Sequence, residues 1–287
     1  MPKVTVVTDS TASLSGDVAT EHGIVVVPLQ VVIGARSYDD GIDPEASPEA
    51  VAKALREFMP VSTSRPSPAV LLETYERAAA EGAEEIVSVH VSADVSGTYE
   101  SAMLAARRAP VKVHAVDSRQ IGAGTGFAAL TAAEVVAGGG DGEDAAAAAR
   151  SRGTATASLF YVDTLEYLRR GGRVGAAAAF LGSALAVKPI LQLDDGRVAP
   201  LDKVRTSGRA LARLEDLAVQ AAGESQVDVA VCHLASEGPA RALAEVLTTR
   251  LAAQLSGRVV GVAEVPSVLG AHVGPGLVGV TVAPRED

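Results

Sequence analysis

The chain has 287 residues, 48% hydrophobic but only 3% aromatic, with four Phe, five Tyr and no Trp. Sites that stack bases, sugar rings or quaternary amines lean on aromatic faces and are disfavoured here, whereas a long aliphatic ligand needs only Leu, Ile, Val, Ala and Met around it. A net charge of −10 is the wrong sign for neutralising a phosphate backbone, so no nucleic acid is expected as a partner.

Along the chain, short apolar runs alternate with amphipathic stretches, the pattern of an α/β fold with largely parallel strands. Residues 3–8, 24–33, 85–91 and 111–117 read as strands. Ser47-Pro48 and Ser67-Pro68 each join an N-cap residue to a Pro at the first helical position, so both open helices. Another helix begins after Ser96-Gly97, and a further one fills about 119–137. The glycine run from Gly138 to Gly142 breaks the pattern before one more helix. The second half opens with a strand at 155–162 and a short helix from Asp163. After Gly171-Gly172 comes an Ala-rich helix, and then a hairpin turning at Asp195-Gly196 between Lys188–Leu193 and Arg197–Leu201. Strand, helix and strand follow to the C-terminus.

This length suits two domains better than one. The boundary is expected near Gly153, with 1–153 as a parallel α/β domain and 154–287 as a mixed-sheet α/β domain. No signal peptide is visible, and the uncharged run 174–187 is too short to span a bilayer. The lone Cys232 excludes an internal disulfide and a Cys-based zinc site, and its buried-strand setting suits a structural thiol. A cytoplasmic location follows as the expectation. Residues 1–150 carry 11 basic against 21 acidic side chains, while 151–287 carry 14 of each. The acidic half reads as solvated helix faces, or more sharply as a docking face for a protein partner.

Four loops at strand ends or near the domain junction carry hydroxyls, glycine or charge, where open sheets bind ligands. Thr8 to Thr11 reads T-D-S-T and has the residues of a helix cap. In Ser62 to Ser67, Ser67 is explained as a cap, leaving Thr63 and Ser64 free to face a ligand. Ser96 stands where a strand's exit loop becomes a helix, and Gly97 lets a group approach the backbone, a combination suited to an anion or to a simple N-cap. Arg169 to Val174 places paired glycines among three arginines, a tight turn that can point one guanidinium inward at an anion. Near the C-terminus, His272 lies among small residues that give it no packing role.

Other motifs fail. His22, His90, His114 and His233 do not pair at metal-ligand spacing, so no metal is expected. There is no phosphate-binding G-x-x-x-x-G-K-[ST], and the glycines from Gly122 to Gly126 are wrongly spaced for a dinucleotide. No nucleophile elbow G-x-S-x-G surrounds Ser96, since Asp94 stands where its first glycine should be.

The ordered set of pieces resembles the DegV family of bacterial fatty-acid-binding proteins. The pieces are V-T-D-S-T from Val7 with Leu14, V-V-P-L at 26–29, T-S-R-P-S at 63–67, S-G-T-Y-E-S-A at 96–102, V-D-S at 116–118, L-R-R-G-G-R-V at 168–174, K-P-I-L at 188–191 and H-V-G-P-G at 272–276. The resemblance implies two α/β domains, the first with a parallel sheet and the second with a mixed one, and one long-chain fatty acid buried between them. It implies a non-enzymatic carrier that presents the carboxylate to a separate ATP-dependent fatty acid kinase, for acyl phosphate and phospholipid synthesis. The carrier itself holds no cofactor and no metal, and membrane contact is at most transient. By position, Thr63 and Ser96 would contact the carboxylate, and Arg173 and His272 would complete the network, with Ser64 and Gly97 nearby. Two departures touch this site: Arg65 stands where the family commonly has Gln, and Val91 to Val95 reads V-S-A-D-V where S-S-x-L is more usual.

Two other function classes stay open on the residues. One is a hydrolase or small-carbonyl enzyme using Ser96 or His272. The other is a regulator that senses a lipid, for which no basic helix-turn-helix pattern is present.

Overall fold

The computed structural model describes residues 3–180 and 187–285. Its regular elements begin with β1 (Val4–Asp9), α1 (Gly16–Glu21), β2 (Ile24–Val27), β3 (Gln30–Ile33) and β4 (Arg36–Asp39). They continue with α2 (Pro48–Arg56), β5 (Val61–Ser64), α3 (Pro68–Ala80), β6 (Glu85–His90), α4 (Thr98–Ala106) and β7 (Lys112–Asp117). Next come α5 (Ala123–Ala137), α6 (Gly142–Ala155), β8 (Ala157–Tyr161), α7 (Glu166–Arg170), β9 (Lys188–Asp194) and β10 (Arg197–Val204). The last are α8 (Ser207–Ala222), β11 (Val227–His233), α9 (Glu237–Arg250), α10 (Ala252–Leu255), β12 (Gly261–Glu264), α11 (Ser267–Val273) and β13 (Val278–Pro284). Of the expected Ala-rich helix, Gly175–Phe180 is a 3-10 helix, and 181–186 lie outside the described residues.

The chain forms two compact units: Met1–Gln30 with Ser64–Thr154, and Val31–Thr63 with Ala155–Asp287. The expected boundary near 153 lies at the last of three crossings. Residues 31–63, which the sequence reading kept with the first domain, cluster instead with the second unit. Two packing features account for this. The buried face of α2, with Val51, Ala52 and Leu55, belongs to a helix that packs on α11. Pro28 also breaks the expected strand 24–33 into β2 and β3, which join different sheets.

The first unit holds a parallel sheet in the order β2-β1-β6-β7. Alternation along the strands sends neighbouring residues to opposite faces. Val6 and Val87 pack on Ala128, Ala132, Ala145 and Ala149 of α5 and α6, while Val7 and Ile86 pack on Leu71, Tyr75 and Ala102 of α3 and α4. Small side chains let the helices approach closely. A Cβ on Gly126 would collide with the Ala12 carbonyl, so this glycine of the rejected nucleotide motif is a packing residue.

The second unit holds a mixed sheet in the order β10-β9-β8-β13-β11-β12, in which β11 and β12 pair parallel and the other neighbours antiparallel. Leu214 of α8 and Leu247 of α9 pack with Ile190, Val231 and Val280 in its core. The β9–β10 hairpin turns at Asp195 and Gly196 with φ of 49° and 83°, the left-handed pair that a two-residue turn of this hand requires. A separate three-stranded sheet has the order β4-β3-β5.

Candidate functional site

In the second unit, β5 carries Thr63. Strand alternation leaves Ser62 and Ser64 exposed and Thr63 half-buried, where its Oγ1 lies 2.8 Å from Nε2 of His272. His272 stands in the last turn of α11. The helix is anchored at its start, where the Ser267 N–H donates to Oδ1 of the buried Asp40 at 3.0 Å. Burial, and then the positive charge of Arg173, hold the imidazole down at about 4, below its ordinary 6.5. An uncharged imidazole thus lies between a hydroxyl and a guanidinium.

The L-R-R-G-G-R-V turn sorts its three arginines. Arg169 and Arg170 pair on the surface with Glu166 of the same helix. Arg173 is half-buried, and its Nη1 donates to the Gly171 carbonyl at 2.5 Å. The two glycines have different reasons. Gly172 has φ of +72°, so the backbone demands it. Gly171 has an ordinary φ of −73°, but a Cβ there would overlap Nδ1 of His272. That second role was invisible in the sequence because the partner is so distant in the chain.

In the first unit, Ser96 sits where the loop after β6 enters α4. Its Oγ lies 2.9 Å from Oγ1 of the fully buried Thr98 and accepts the Thr98 N–H at 3.3 Å. The residue that caps α4 by position is Gly97, with no side-chain bond. Arg65 lies across Gly97: its Nη1 donates to the Gly97 carbonyl at 2.9 Å and to Glu100 Oε2 at 2.8 Å. Ser64 is exposed, with its hydroxyl donating to the Arg65 carbonyl at 3.4 Å. The loop is tied to the next strand's exit, since Asp117 Oδ1 accepts the N–H groups of Ala93 and Arg119.

Sequence reasoning missed a buried polar chain beneath these loops. The Tyr75 hydroxyl donates to Ser88 Oγ at 2.8 Å, Ser88 Oγ lies 2.7 Å from His90 Nε2, and His90 Nδ1 lies 2.9 Å from Asp9 Oδ2. Since Ser88 accepts from Tyr75, its own proton goes to Nε2, and Nδ1–H then donates to Asp9. Asp9 also accepts from the N–H of Thr11 and Val91 and from the Thr11 hydroxyl. Burial pushes the Tyr75 phenol up to about 12. Asp9, His90 and Ser88 have the order of a nucleophile relay, but all four side chains are 0% exposed, so no substrate reaches them. The cap assigned to T-D-S-T is real, with Asp9 accepting at the start of the Ser10–Ala12 turn, but it is half of the carboxylate's work.

Among the described residues of its unit, no histidine bonds Ser96: His90 is committed to Ser88 and Asp9, His114 to Glu85, and His22 lies exposed on α1's end. Burial pushes the Cys232 thiol up to about 11, which suits an inert thiol. Among the described residues, no three His, Cys, Asp or Glu side chains group as metal ligands, and no helix is long and apolar enough to cross a membrane.

Comparison with known proteins gives a consistent result. The model of the DegV family, described as uncharacterised, matches residues 3–285. A DegV domain-containing protein of Streptomyces coelicolor is 51% identical over 282 residues, which are 98% of this chain and 99% of that one. A fatty-acid-binding DegV family protein from Thermus thermophilus has a TM-score of 0.90 at 32% identity, covering 99% of this chain and 100% of that one. DegV of Bacillus subtilis, a fatty acid binding protein, has a TM-score of 0.88 at 30% identity, with 99% and 100% covered.

Proposed function

The chain belongs to the DegV family, and we propose that it binds one long-chain fatty acid and presents the carboxylate to a separate ATP-dependent fatty acid kinase. In this reading Thr63 and Ser96 contact the carboxylate, while Arg173 and His272 complete the network. The protein performs no chemistry itself and works in the cytoplasm, where the kinase has ATP.

The observation that carries the reading is the Thr63–His272 bond beside Arg173. Burying a sixteen-carbon tail contributes on the order of 10 kcal/mol, at about 0.8 kcal/mol per methylene. The same burial strips water from the carboxylate, which is costly unless hydrogen-bond donors and a cation replace it. A hydroxyl oriented by an uncharged imidazole, with a guanidinium alongside, is such a set. The commitment of His90 and His114 to partners other than Ser96 disfavours the hydrolase alternative.

The test is to express the protein in bacteria, extract it with organic solvent and identify the lipid by mass spectrometry. Near-stoichiometric fatty acid is expected. Recovery of none, together with no binding of added palmitate, removes the reading. The kinase step is tested separately, by acyl phosphate formation with a fatty acid kinase and ATP.

A further inference from the structure

We infer that Tyr167 is a positioning residue for His272: its ring, packed on Gly274, holds the end of α11 so that the imidazole meets Thr63. The inference rests on the fatty-acid reading, because a fixed His272 serves binding only if Thr63 holds the carboxylate.

A helix of seven residues is too short to be rigid on its own, so the groups that hold its ends decide where His272 points. Asp40 holds the start. At the other end the Gly274 N–H closes the last turn on the Gly270 carbonyl at 2.9 Å, and His272 lies inside that turn. Gly274 has φ of 76° and ψ of 170°, a conformation essentially restricted to glycine. A Cβ there would overlap Cδ2 and Cε2 of the half-buried Tyr167 and come within 2.7 Å of its Cγ. The ring therefore rests on the bare backbone of the residue that ends the helix. A Cβ on Gly276 would in turn overlap the Asp163 carboxylate, so the chain leaving α11 is packed by the same segment.

Tyr167 and Gly171 stand four residues apart, joined by the Gly171 N–H donating to the Tyr167 carbonyl at 2.9 Å, and so share one face of α7 and its cap. That face meets α11 at two points: Gly171 lies against Nδ1 of His272, and Tyr167 against Gly274. Gly171 leaves room for the imidazole, while Tyr167 sets how closely the helix end approaches. The Arg173 N–H donates to the Leu168 carbonyl at 2.9 Å, so this segment also places the guanidinium that the imidazole feels. Close packing passes a displacement on from one side chain to the next, and a site keeps its geometry only as well as the packing behind it does. The contacts on Gly274 are made by ring carbons, which assigns the work to the ring and not to the phenol hydroxyl.

The test uses the whole protein, stripped of lipid, with two readouts: the palmitate Kd by titration and the protonation of the His272 ring by NMR. Tyr167→Phe keeps the ring and should match wild type in both. Tyr167→Leu keeps an apolar side chain without the flat ring, and should raise the palmitate Kd about tenfold. In that variant the His272 midpoint should move up from about 4 towards 6.5, because a loosened turn readmits water to the imidazole. The ring signal of His114, in the first unit, should not change. An unchanged His272 midpoint or an unchanged palmitate Kd in Tyr167→Leu overturns the inference alone. So does a His114 signal that shifts together with that of His272, or a Tyr167→Phe as weak as Tyr167→Leu. Wild-type protein that binds no palmitate removes the fatty-acid reading and the inference with it.

Discussion

The Thr63 hydroxyl and Nε2 of His272 lie 2.8 Å apart although 209 residues separate them in the chain. Each is placed by its own local rule, strand alternation for Thr63 and an anchored helix for His272. If Thr63 holds the carboxylate, Thr63→Val should weaken palmitate binding by roughly ten- to hundredfold, matching the about 1.5–3 kcal/mol of a hydrogen bond to a charged group. Thr63→Ser keeps the hydroxyl and should stay within about threefold. Wild-type palmitate affinity in Thr63→Val, measured by titration, would show that the hydroxyl does not hold the carboxylate.

His272 also predicts a pH dependence. In the unfolded chain its imidazole takes up a proton near 6.5, while in the folded protein it resists to about 4. Between those values the unfolded state binds more protons, so stability falls as pH is lowered through this window. The loss amounts to about 3 kcal/mol at most, because part of the ring faces solvent. Thermal unfolding from pH 7 to 4 should show a flatter decline in His272→Gln than in wild type. Parallel declines in both would mean that His272 stays uncharged for no energetic reason.

The buried chain from Tyr75 to Asp9 predicts a stability effect in the first unit. Asp9→Asn leaves His90 and two backbone N–H groups facing a poorer acceptor, and should destabilise by about 3 kcal/mol. Tyr75→Phe removes one donor to Ser88 and should cost about 1 kcal/mol. Urea unfolding distinguishes them: a smaller effect for Asp9→Asn than for Tyr75→Phe would contradict the central place given to the carboxylate.

What was legible in the sequence follows the range of the interactions. Caps at Ser47 and Ser67 are local, and both bond within three residues as read. The Asp195-Gly196 hairpin is equally local. Pairings across 81 residues, such as His90 with Asp9, leave no trace in either segment, so T-D-S-T read as a cap alone. The contact allegiance of residues 31–63 was hidden for the same reason, because α2 packs on a helix more than two hundred residues on. Candidate site residues came from loop chemistry and resemblance. Their order in sequence said nothing of the Gly171 contact that shapes the space around His272.

The two glycines of the arginine turn supply the sharpest separation of binding from stability. Gly171 has backbone angles of −73° and −9°, which any residue adopts, and the atoms nearest to an added Cβ are those of the His272 ring. Part of that clash is offset, since Ala also reduces the freedom of the unfolded chain by about 0.4–1 kcal/mol. Moving the ring breaks its geometry with Thr63, so Gly171→Ala should weaken palmitate binding roughly tenfold with little change in melting temperature. Gly172 has φ of +72° and open space around its missing Cβ. Gly172→Ala should therefore lower stability by about 1 kcal/mol through the left-handed backbone and leave palmitate binding unaltered. Titration and thermal melts on the pair test the assignment of His272 directly. Wild-type affinity in Gly171→Ala would detach the histidine from the ligand, whatever the stability of either variant.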